Sequence, residues 1–286
     1  MYRTENHELE GRYQRYREIL KNLTIMSDIF MRNVFKNRDC IEYVLRVILK
    51  MPGLTVVEQI VQKDYKNLQG RSAIMDCVVR DAEGKQFDVE IQQENEGASP
   101  KRARFHSGLM DMNTLNPGEE FDKLPETYVI FITRQDVLGF GLPIYHIERK
   151  ITEVNRSFQD EAHIVYVNAS CQEDTELGNL IHDLHCSRAE EMYSGILARR
   201  VQELKETPEG VDTMCREMDA IYNEGEKRGE VRGVVRGIEI GELKAKREMA
   251  LSLAQRALPA EEIAQIVKMD MEQVRQWLAE GSAAAQ

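Results

Sequence analysis

The segment from residue 71 to residue 93 (RSAIMDCVVRDAEGKQFDVEIQQ) constrains the fold most, because its pattern is that of two strands joined by a tight turn. Two strand-like runs flank the turn residues Ala82, Glu83 and Gly84. A three-residue hairpin loop is typically a type I turn followed by a left-handed residue, and Gly84 occupies that last position. The segment therefore predicts an antiparallel hairpin.

The predicted turn also sets which side chains meet across the hairpin. With this loop Asp81 faces Lys85, and counting back along both strands places Asp76 opposite Glu90. Opposed Cβ atoms lie about 4.5–5.5 Å apart, so the two carboxylates repel unless one takes a proton or a divalent cation binds. Mg²⁺ suits such a site, because it is typically held by one or two carboxylates and a substrate phosphate.

Gln92 shares the predicted face of Glu90, roughly 7 Å further along the strand. Its amide could position a water molecule or a phosphate oxygen, but it carries no positive charge. A two-residue loop would instead pair Cys77 with Glu90 and turn Asp76 to the other face. In that case the polar residues are simply the solvated side of a sheet.

The rest of the chain predicts a mixed α/β domain followed by helices. The apolar run 126–133 (ETYVIFIT) is typical of a central strand that is buried on both faces. Helices are predicted at 27–50 and 99–115, strands at 55–63, 71–81, 86–93, 126–133, 144–154 and 163–169, and mainly helices from about 174 onward.

The chain is thus expected to have five segments. They are a polar N-terminal helix (1–24), the α/β core (25–170), a helical region packed on that core (171–223), a glycine-patterned helix or linker (224–248) and a helix-turn-helix-like hairpin (249–286). In the fourth segment a glycine recurs every four residues from Gly225 to Gly241. This stripe fits either close packing against another helix or a loosely helical, charged linker.

The terminal hairpin has two interpretations of its own. It could be a DNA reader or a packing and dimer contact, and the second is favoured because Arg275 is the one basic residue of MEQVRQWLAE. Pro259 is expected at the first helical position, and Asp270 is expected to cap the last helix. The expected small core comprises Ile263, Ile266, Val267, Met271, Val274, Trp277 and Leu278.

Composition limits the function and the location. The 286 residues include 38 Lys+Arg and 49 Asp+Glu, a net charge of −11, which argues against a protein that wraps nucleic acid by charge alone. Five cysteines with no CxxC pair indicate reduced thiols. The polar N-terminus and the lack of a long apolar run predict a cytoplasmic protein without membrane contact.

Several motifs together resemble the nucleases and transposases of the PD-(D/E)xK superfamily, of the recombination-promoting nuclease type. Asp76 followed by Glu90-Ile91-Gln92 is similar to the catalytic Asp and Glu-x-Gln of that group. The N-terminal helix DIFMRNVF (28–35), Arg102-Ala103 with Phe105, the run 124–150 and the glycine-patterned tail extend the resemblance over nearly the whole chain. Met75 replaces the motif's Pro, and Gln92 stands where the wider superfamily has Lys.

The resemblance implies a restriction-endonuclease-like α/β core, a mixed central sheet flanked by helices, with a helical C-terminal extension. It implies DNA phosphodiester hydrolysis with Mg²⁺, or alternatively Mn²⁺, in recombination or mobile DNA. Asp76 and Glu90 would bind the metal, and Gln92 would orient the attacking water. Asp28 and Glu42 are candidate accessory metal ligands, against the simpler interpretation of surface or capping residues.

Contacts with partners are expected on the helix that follows the hairpin and on the C-terminal helices. Lys101, Arg102 and Arg104 are candidate DNA contacts; the simpler interpretation is a solvated helix face with Phe105 in the core. A homodimer through the C-terminal helices is expected. Two rival functions remain at this stage: a catalytically inactive, nuclease-fold DNA-binding or regulatory protein, and a protein-interaction module built on the glycine-patterned helix.

Overall fold

The computed structural model describes residues 2–65 and 73–283. The chain divides into two compact units, Met1–Asp219 and Ala220–Gln286. The helices are α1 (Tyr2–Asn22), α2 (Asp28–Phe35), α3 (Arg38–Leu49), α4 (Pro100–Met112), α5 (Glu176–His185), α6 (Gly195–Glu206), α7 (Pro208–Gln255), α8 (Ala260–Val267) and α9 (Met271–Ala283). The strands are β1 (Val56–Tyr65), β2 (Ala73–Asp81), β3 (Gln86–Gln92), β4 (Thr127–Thr133), β5 (Ile144–Ile147), β6 (Lys150–Ile151), β7 (Arg156–Ser157) and β8 (Ala162–Asn168).

The first unit is built on a six-stranded mixed sheet with the order β1-β2-β3-β4-β8-β5. Strands β3, β4 and β8 are parallel, whereas β1, β2 and β5 pair antiparallel with their neighbours. All seven residues of β4 are buried, as the apolar run predicts for a central strand. The predicted mixed α/β core is therefore confirmed.

Helices cover both faces of this sheet. On one face the odd-numbered residues of β3, Phe87, Val89 and Ile91, join a large core with α2, α3, α5 and α6. On the other face, residues of β2, β4 and β8 pack against Ala103, Leu109 and other apolar residues of α4. Since strand side chains alternate, the even-numbered residues of β3 point to the α4 side, which is where the candidate site lies.

The predicted helix 27–50 is wrong in one respect, because the structure has two helices there. The backbone of Asn37 is extended (φ −87°, ψ 119°), and its side-chain oxygen accepts hydrogen bonds from the backbone N–H groups of Asp39 (3.0 Å) and Cys40 (3.3 Å). This cap starts α3 and separates it from α2. The helix ends at Leu49, where Lys50 adopts a left-handed conformation (φ 55°), before Pro52.

The predicted strand 144–154 is also divided. Its first part, β5, pairs antiparallel with β8 in the main sheet. Its second part, β6, pairs with β7 in a separate two-stranded sheet. Both residues of β6 are exposed, and β6 is not part of the main sheet.

The second unit contains α7 from Ala220 onward, together with α8 and α9. Ala250, Ile263, Val267, Val274 and Trp277 form its small core. The predicted cap is present, since the Asp270 carboxylate accepts from the Gln273 N–H at 2.8 Å. Two expected core members are exposed instead, Ile266 (50%) and Met271 (39%), and Pro259 occupies the capping position just before α8.

The glycine-patterned segment lies entirely within α7, which settles its conformation as helical. A Cβ atom added at any of the five glycines from Gly225 to Gly241 would meet nothing within 4 Å outside its own helix backbone. Within the part of the chain that the structure describes, no other element therefore packs against these five glycines.

Two further sequence expectations concern thiols and membranes. All five cysteines, Cys40, Cys77, Cys171, Cys186 and Cys215, are free, as the absence of paired spacing predicts. Among the described residues, no helix combines the length and the apolar character that crossing a membrane requires.

Candidate active site

The β2–β3 hairpin has the register that its turn predicts. Gly84 has a positive φ of 90°, and its N–H donates to the Asp81 carbonyl oxygen at 3.1 Å. Strand pairing of Cys77 with Val89 sets the next residues, Asp76 and Glu90, opposite one another. The Asp76 backbone N–H donates to Oε1 of Glu90 at 2.9 Å, so the two residues are in direct contact.

Burial and mutual repulsion raise the pKa of both carboxyl groups. Glu90 is fully buried. Burial is the main cause of the raised pKa of Asp76, and the charges of Glu90 and then Asp28 add to it. Burial again comes first for the raised pKa of Glu90, followed by the charge of Asp88. Two adjacent carboxyl groups that resist ionisation together are the arrangement that a divalent cation relieves.

The sequence interpretation missed a buried pair beside these residues, Asp88 and His106. Both are at most 1% exposed, and His106 Nδ1 lies 2.9 Å from Oδ2 of Asp88. Burial raises the pKa of Asp88 well above the usual carboxyl range and lowers the pKa of His106. The alternation of side chains along β3 places residues 88 and 90 on one face of the sheet. The contact of Asp88 with His106 depends on how α4 packs on that face, and no pattern in the sequence predicts this packing.

Arg102 lies inside the site. The Oγ of Ser99 accepts from the Arg102 backbone N–H at 3.3 Å and caps α4, which places Arg102 in the first turn of the helix. Its guanidinium donates to Oε2 of Glu90 at 3.0 Å and to Oε1 of Gln92 at 3.4 Å. It also donates to the Gly97 carbonyl oxygen at 2.8 Å. The structure therefore brings Arg102 onto the candidate catalytic residues themselves.

Gln92 completes this arrangement between Glu90 and Arg102. Its Nε2 atom donates to Oε2 of Glu90 at 3.3 Å. Its Oε1 atom occupies space that only a glycine leaves open, because a Cβ atom at Gly97 would lie 2.1 Å from it. Gly97 thereby shapes the site, a role that the sequence interpretation did not identify.

The two other predicted DNA contacts lie on the outer surface of α4. Lys101 and Arg104 are exposed, and neither has an ion-pair partner in the part of the chain that the structure describes. Phe105 is 37% exposed, so it does not lie in the core, as the simpler interpretation of a solvated helix face assumed; Ala103 and His106 point inward instead.

The two accessory candidates differ. The charge of Asp28, the first residue of α2, contributes to the raised pKa of Asp76, and Asp28 pairs with Arg32 at 2.6 Å. Glu42 is not at the site, which corrects that expectation. Its carboxylate binds Arg46 at 2.6 Å and the Val56 N–H at 2.8 Å, at the far end of the β1–β2 pair.

The donor chemistry fits a hard divalent cation. Asp88, Glu90 and His106 offer ligand atoms that lie within 4.8 Å of one another, and Oδ1 of Asp88 has no hydrogen-bond partner among the residues that the structure describes. Asp88, Glu90 and His106 are all enclosed, whereas Asp76 is partly exposed. A hydrolytic ion needs open positions for water and phosphate, so Asp76 would form its open side, with Glu90 as the enclosed ligand in contact with Asp76.

A second group of donor atoms lies at α5, formed by His182, Asp183 and Cys186. The buried Asp183 carboxylate accepts from the N–H groups of Tyr193 (2.8 Å) and Ser194 (2.7 Å), which tie α5 to the start of α6. Burial raises the pKa of the Cys186 thiol to about 11, which keeps it protonated. This group is structural.

The six-stranded mixed sheet, its flanking helices and the paired acids on adjacent strands define a protein with a restriction-endonuclease-like nuclease fold. Residues 34–177, half of the chain, match the family described as PD-(D/E)XK nuclease family transposase, and the chain belongs to that family. No curated protein sequence and no solved structure gives a significant match. The family match covers the hairpin, Arg102 and the central strands.

Proposed function

We propose that the protein is a divalent-metal-dependent endonuclease that hydrolyses phosphodiester bonds of DNA in recombination or mobile-element processes. The observation that carries this proposal is the contact between Asp76 and Glu90 across β2 and β3, both with raised pKa values. Membership of a nuclease and transposase family supports the reaction class. Mg²⁺ is the proposed ion, with Mn²⁺ as a substitute.

The residues divide the work of hydrolysis among themselves. The carboxylates of Asp76 and Glu90 would hold the ion, and Asp28, whose charge contributes to the raised pKa of Asp76, would be an accessory ligand. A bound divalent ion supplies a water of lowered pKa and neutralises charge on the phosphate. The Gln92 amide would orient the attacking water, whose oxygen would form a new P–O bond as one bridging P–O bond breaks. The water would release its proton to solvent, and the leaving oxygen would take a proton from solvent.

The direct test is nicking of supercoiled plasmid DNA by the full chain, with Mg²⁺, with Mn²⁺ and with excess chelator. Wild-type protein should nick with either ion and not with chelator. The metal stabilises the transition state by several kcal/mol, so Glu90→Gln should nick at least about 100-fold more slowly. Nicking that continues at full rate with chelator, or in the Glu90→Gln protein, contradicts the proposal.

A second candidate function is DNA binding without cleavage. It is motivated by the ion pair of Arg102 with Glu90, which already neutralises that carboxylate, and by the helical hairpin of α8 and α9. Such a protein would bind DNA without metal, with affinity that falls steeply as salt rises, and would leave plasmid intact with either ion. The nicking assay therefore separates the two functions.

We further propose that the chain forms a homodimer through α7. Val231, Val234, Val235 and Ile238 follow the i, i+3, i+4, i+7 spacing of one helix face and are 49–63% exposed. Covering this apolar face would offset the roughly 1 kcal/mol that each helical glycine costs. The five free cysteines support a reducing cytoplasmic location.

A further inference from the structure

The guanidinium of Arg102 is held at a fixed place in the candidate active site. It binds a side-chain oxygen of Glu90, one of Gln92 and the carbonyl oxygen of Gly97 at 2.8–3.4 Å. The central carbon of the guanidinium, Cζ, lies 5.9 Å from the ring centre of Phe131 on β4. The Arg102 side chain is 36% exposed, so it is not sealed from solvent.

Two buried residues fix the orientation of this guanidinium from behind. His106, one helical turn after Arg102, accepts a hydrogen bond from Arg102 Nε at its Nε2 atom, at 3.3 Å. The ring proton then lies on Nδ1, which faces Oδ2 of Asp88 at 2.9 Å. Since His106 and Asp88 are both buried, the Asp88–His106 pair holds Arg102 toward the Glu90 side of the site.

The charges at the site show what this cation could do. Two carboxylates, Asp76 and Glu90, would balance one divalent ion. Asp28 and Arg32 cancel each other in a 2.6 Å ion pair, and Gln92 is neutral. A phosphodiester carries one negative charge, and more develops on its non-bridging oxygens during attack. With the ion and these side chains alone, the negative charge of the phosphate group would not be neutralised.

We propose that Arg102 is a catalytic residue that donates hydrogen bonds to a non-bridging oxygen of the scissile phosphate once Glu90 is bound to metal. Among the described residues, Arg102 is the one Lys or Arg hydrogen-bonded to both Glu90 and Gln92. A guanidinium matches phosphate geometry with two parallel donors. It keeps its protons throughout and stabilises charge only. This role rests on the proposed nuclease function.

The first experiment compares single-turnover nicking by full-length wild-type, Arg102→Gln and Arg80→Gln proteins at saturating protein with Mg²⁺. Removing one donor aimed at a developing oxyanion typically slows catalysis about 10²–10³-fold, and this loss is expected for Arg102→Gln. The control residue Arg80 is exposed and pairs with Glu58 far along β2, so its variant should nick at the wild-type rate. Plasmid binding with chelator should change little in either variant.

The second experiment moves the charge instead of removing it. Position 92 can carry the moved charge because it is next to Arg102: Oε1 of Gln92 lies 3.4 Å from the Arg102 guanidinium. The double variant Gln92→Lys/Arg102→Gln should nick at least about tenfold faster than Gln92→Met/Arg102→Gln, because Lys restores a cation that can stabilise charge on phosphate. Met has a similar length and no charge, and both double variants carry Arg102→Gln, so any loss of stability from that substitution is common to the two proteins. Equal melting temperatures, close to that of wild type, establish that both double variants are folded before their rates are compared.

The outcomes separate this role from the proposed function. If wild-type protein nicks and Arg102→Gln nicks equally fast, or if the Lys and Met double variants are equally slow, the role of Arg102 is overturned while the nuclease function stands. If wild-type protein does not nick with any metal, the nuclease function fails and the role of Arg102 fails with it.

Discussion

At the scale of single residues, one glycine decides the register that brings the two acids together. Gly84 takes the left-handed position of a three-residue loop, and the pairing of Asp76 with Glu90 follows from it. Such local turn chemistry is written in the sequence. The Asp88–His106 pair and the position of Arg102 could not be predicted in this way, because they depend on how α4 packs across β3.

Gly97 is the residue whose loss should affect the site most selectively. In Gly97→Ala, the new Cβ atom would occupy the place of Gln92 Oε1, 2.1 Å away, so the Gln92 side chain must move. We expect nicking to fall about tenfold, equivalent to about 1.4 kcal/mol, with an unchanged melting temperature. The control is Gly108→Ala on α4, where an added Cβ atom meets nothing within 4 Å beyond its chain neighbours and the nearby backbone of its own helix. Equal nicking rates for both variants would contradict this role.

The raised pKa values of Asp76 and Glu90 predict a pH-dependent stability. The folded protein binds these protons more tightly than the unfolded chain does. The resulting stabilisation is complete below the ordinary carboxyl pKa of about 4 and is lost as pH rises through the raised values. Without metal, the melting temperature should fall from pH 5 to pH 8 by more in wild type than in Glu90→Gln. A larger fall in the variant would contradict the assignment.

At the scale of elements, the sequence predicted each strand of the central hairpin and the buried strand β4, whose apolar runs are distinctive. It missed the break between α2 and α3, because the apolar positions on either side keep helical spacing and mask the cap at Asn37. It also predicted a core place for Ile266, whose position fits helical periodicity but whose side chain is half exposed. Periodicity identifies helices and does not by itself show what covers them.

The cap at Asn37 has a measurable contribution. In Asn37→Ala, the N–H groups of Asp39 and Cys40 lose their acceptor. An N-cap of this kind contributes about 1 kcal/mol, so the melting temperature should fall by about 2–4 °C. Asn37→Asp, which keeps an acceptor oxygen, should melt close to wild type. Identical melting of the Ala and Asp variants would show that the cap does not stabilise α3.

At the scale of the whole molecule, the net charge of −11 does not oppose the proposed function. Between residues 121 and 223 there are nineteen acidic and ten basic residues, so most of the surplus lies after the hairpin and α4. Lys101 and Arg104 are exposed on the helix that carries Arg102. We therefore expect transient, metal-assisted contact with DNA through this helix and no extended wrapping.

The proposed dimer is also tested on the whole molecule. Replacing Val235 and Ile238 by Lys places two charges on the exposed apolar face of α7 without touching a buried residue. Sedimentation should show a dimer for wild type and a monomer for the double variant, because an unpaired charge in an apolar interface is strongly unfavourable. A control with Val57→Lys, an exposed residue of β1, should remain dimeric. Equal masses for wild type and the Val235/Ile238 variant would remove the proposal.

The central claim is that Asp76 and Glu90 form a metal-dependent hydrolytic site. The most direct measurement is the single-turnover nicking rate of Asp76→Asn with Mg²⁺, beside wild type and the exposed control Asp122→Asn. The substitution keeps the size of the side chain and removes the metal-binding charge. We predict a loss of at least about 100-fold for Asp76→Asn and none for Asp122→Asn. An Asp76→Asn protein that nicks DNA as fast as wild type would contradict the account.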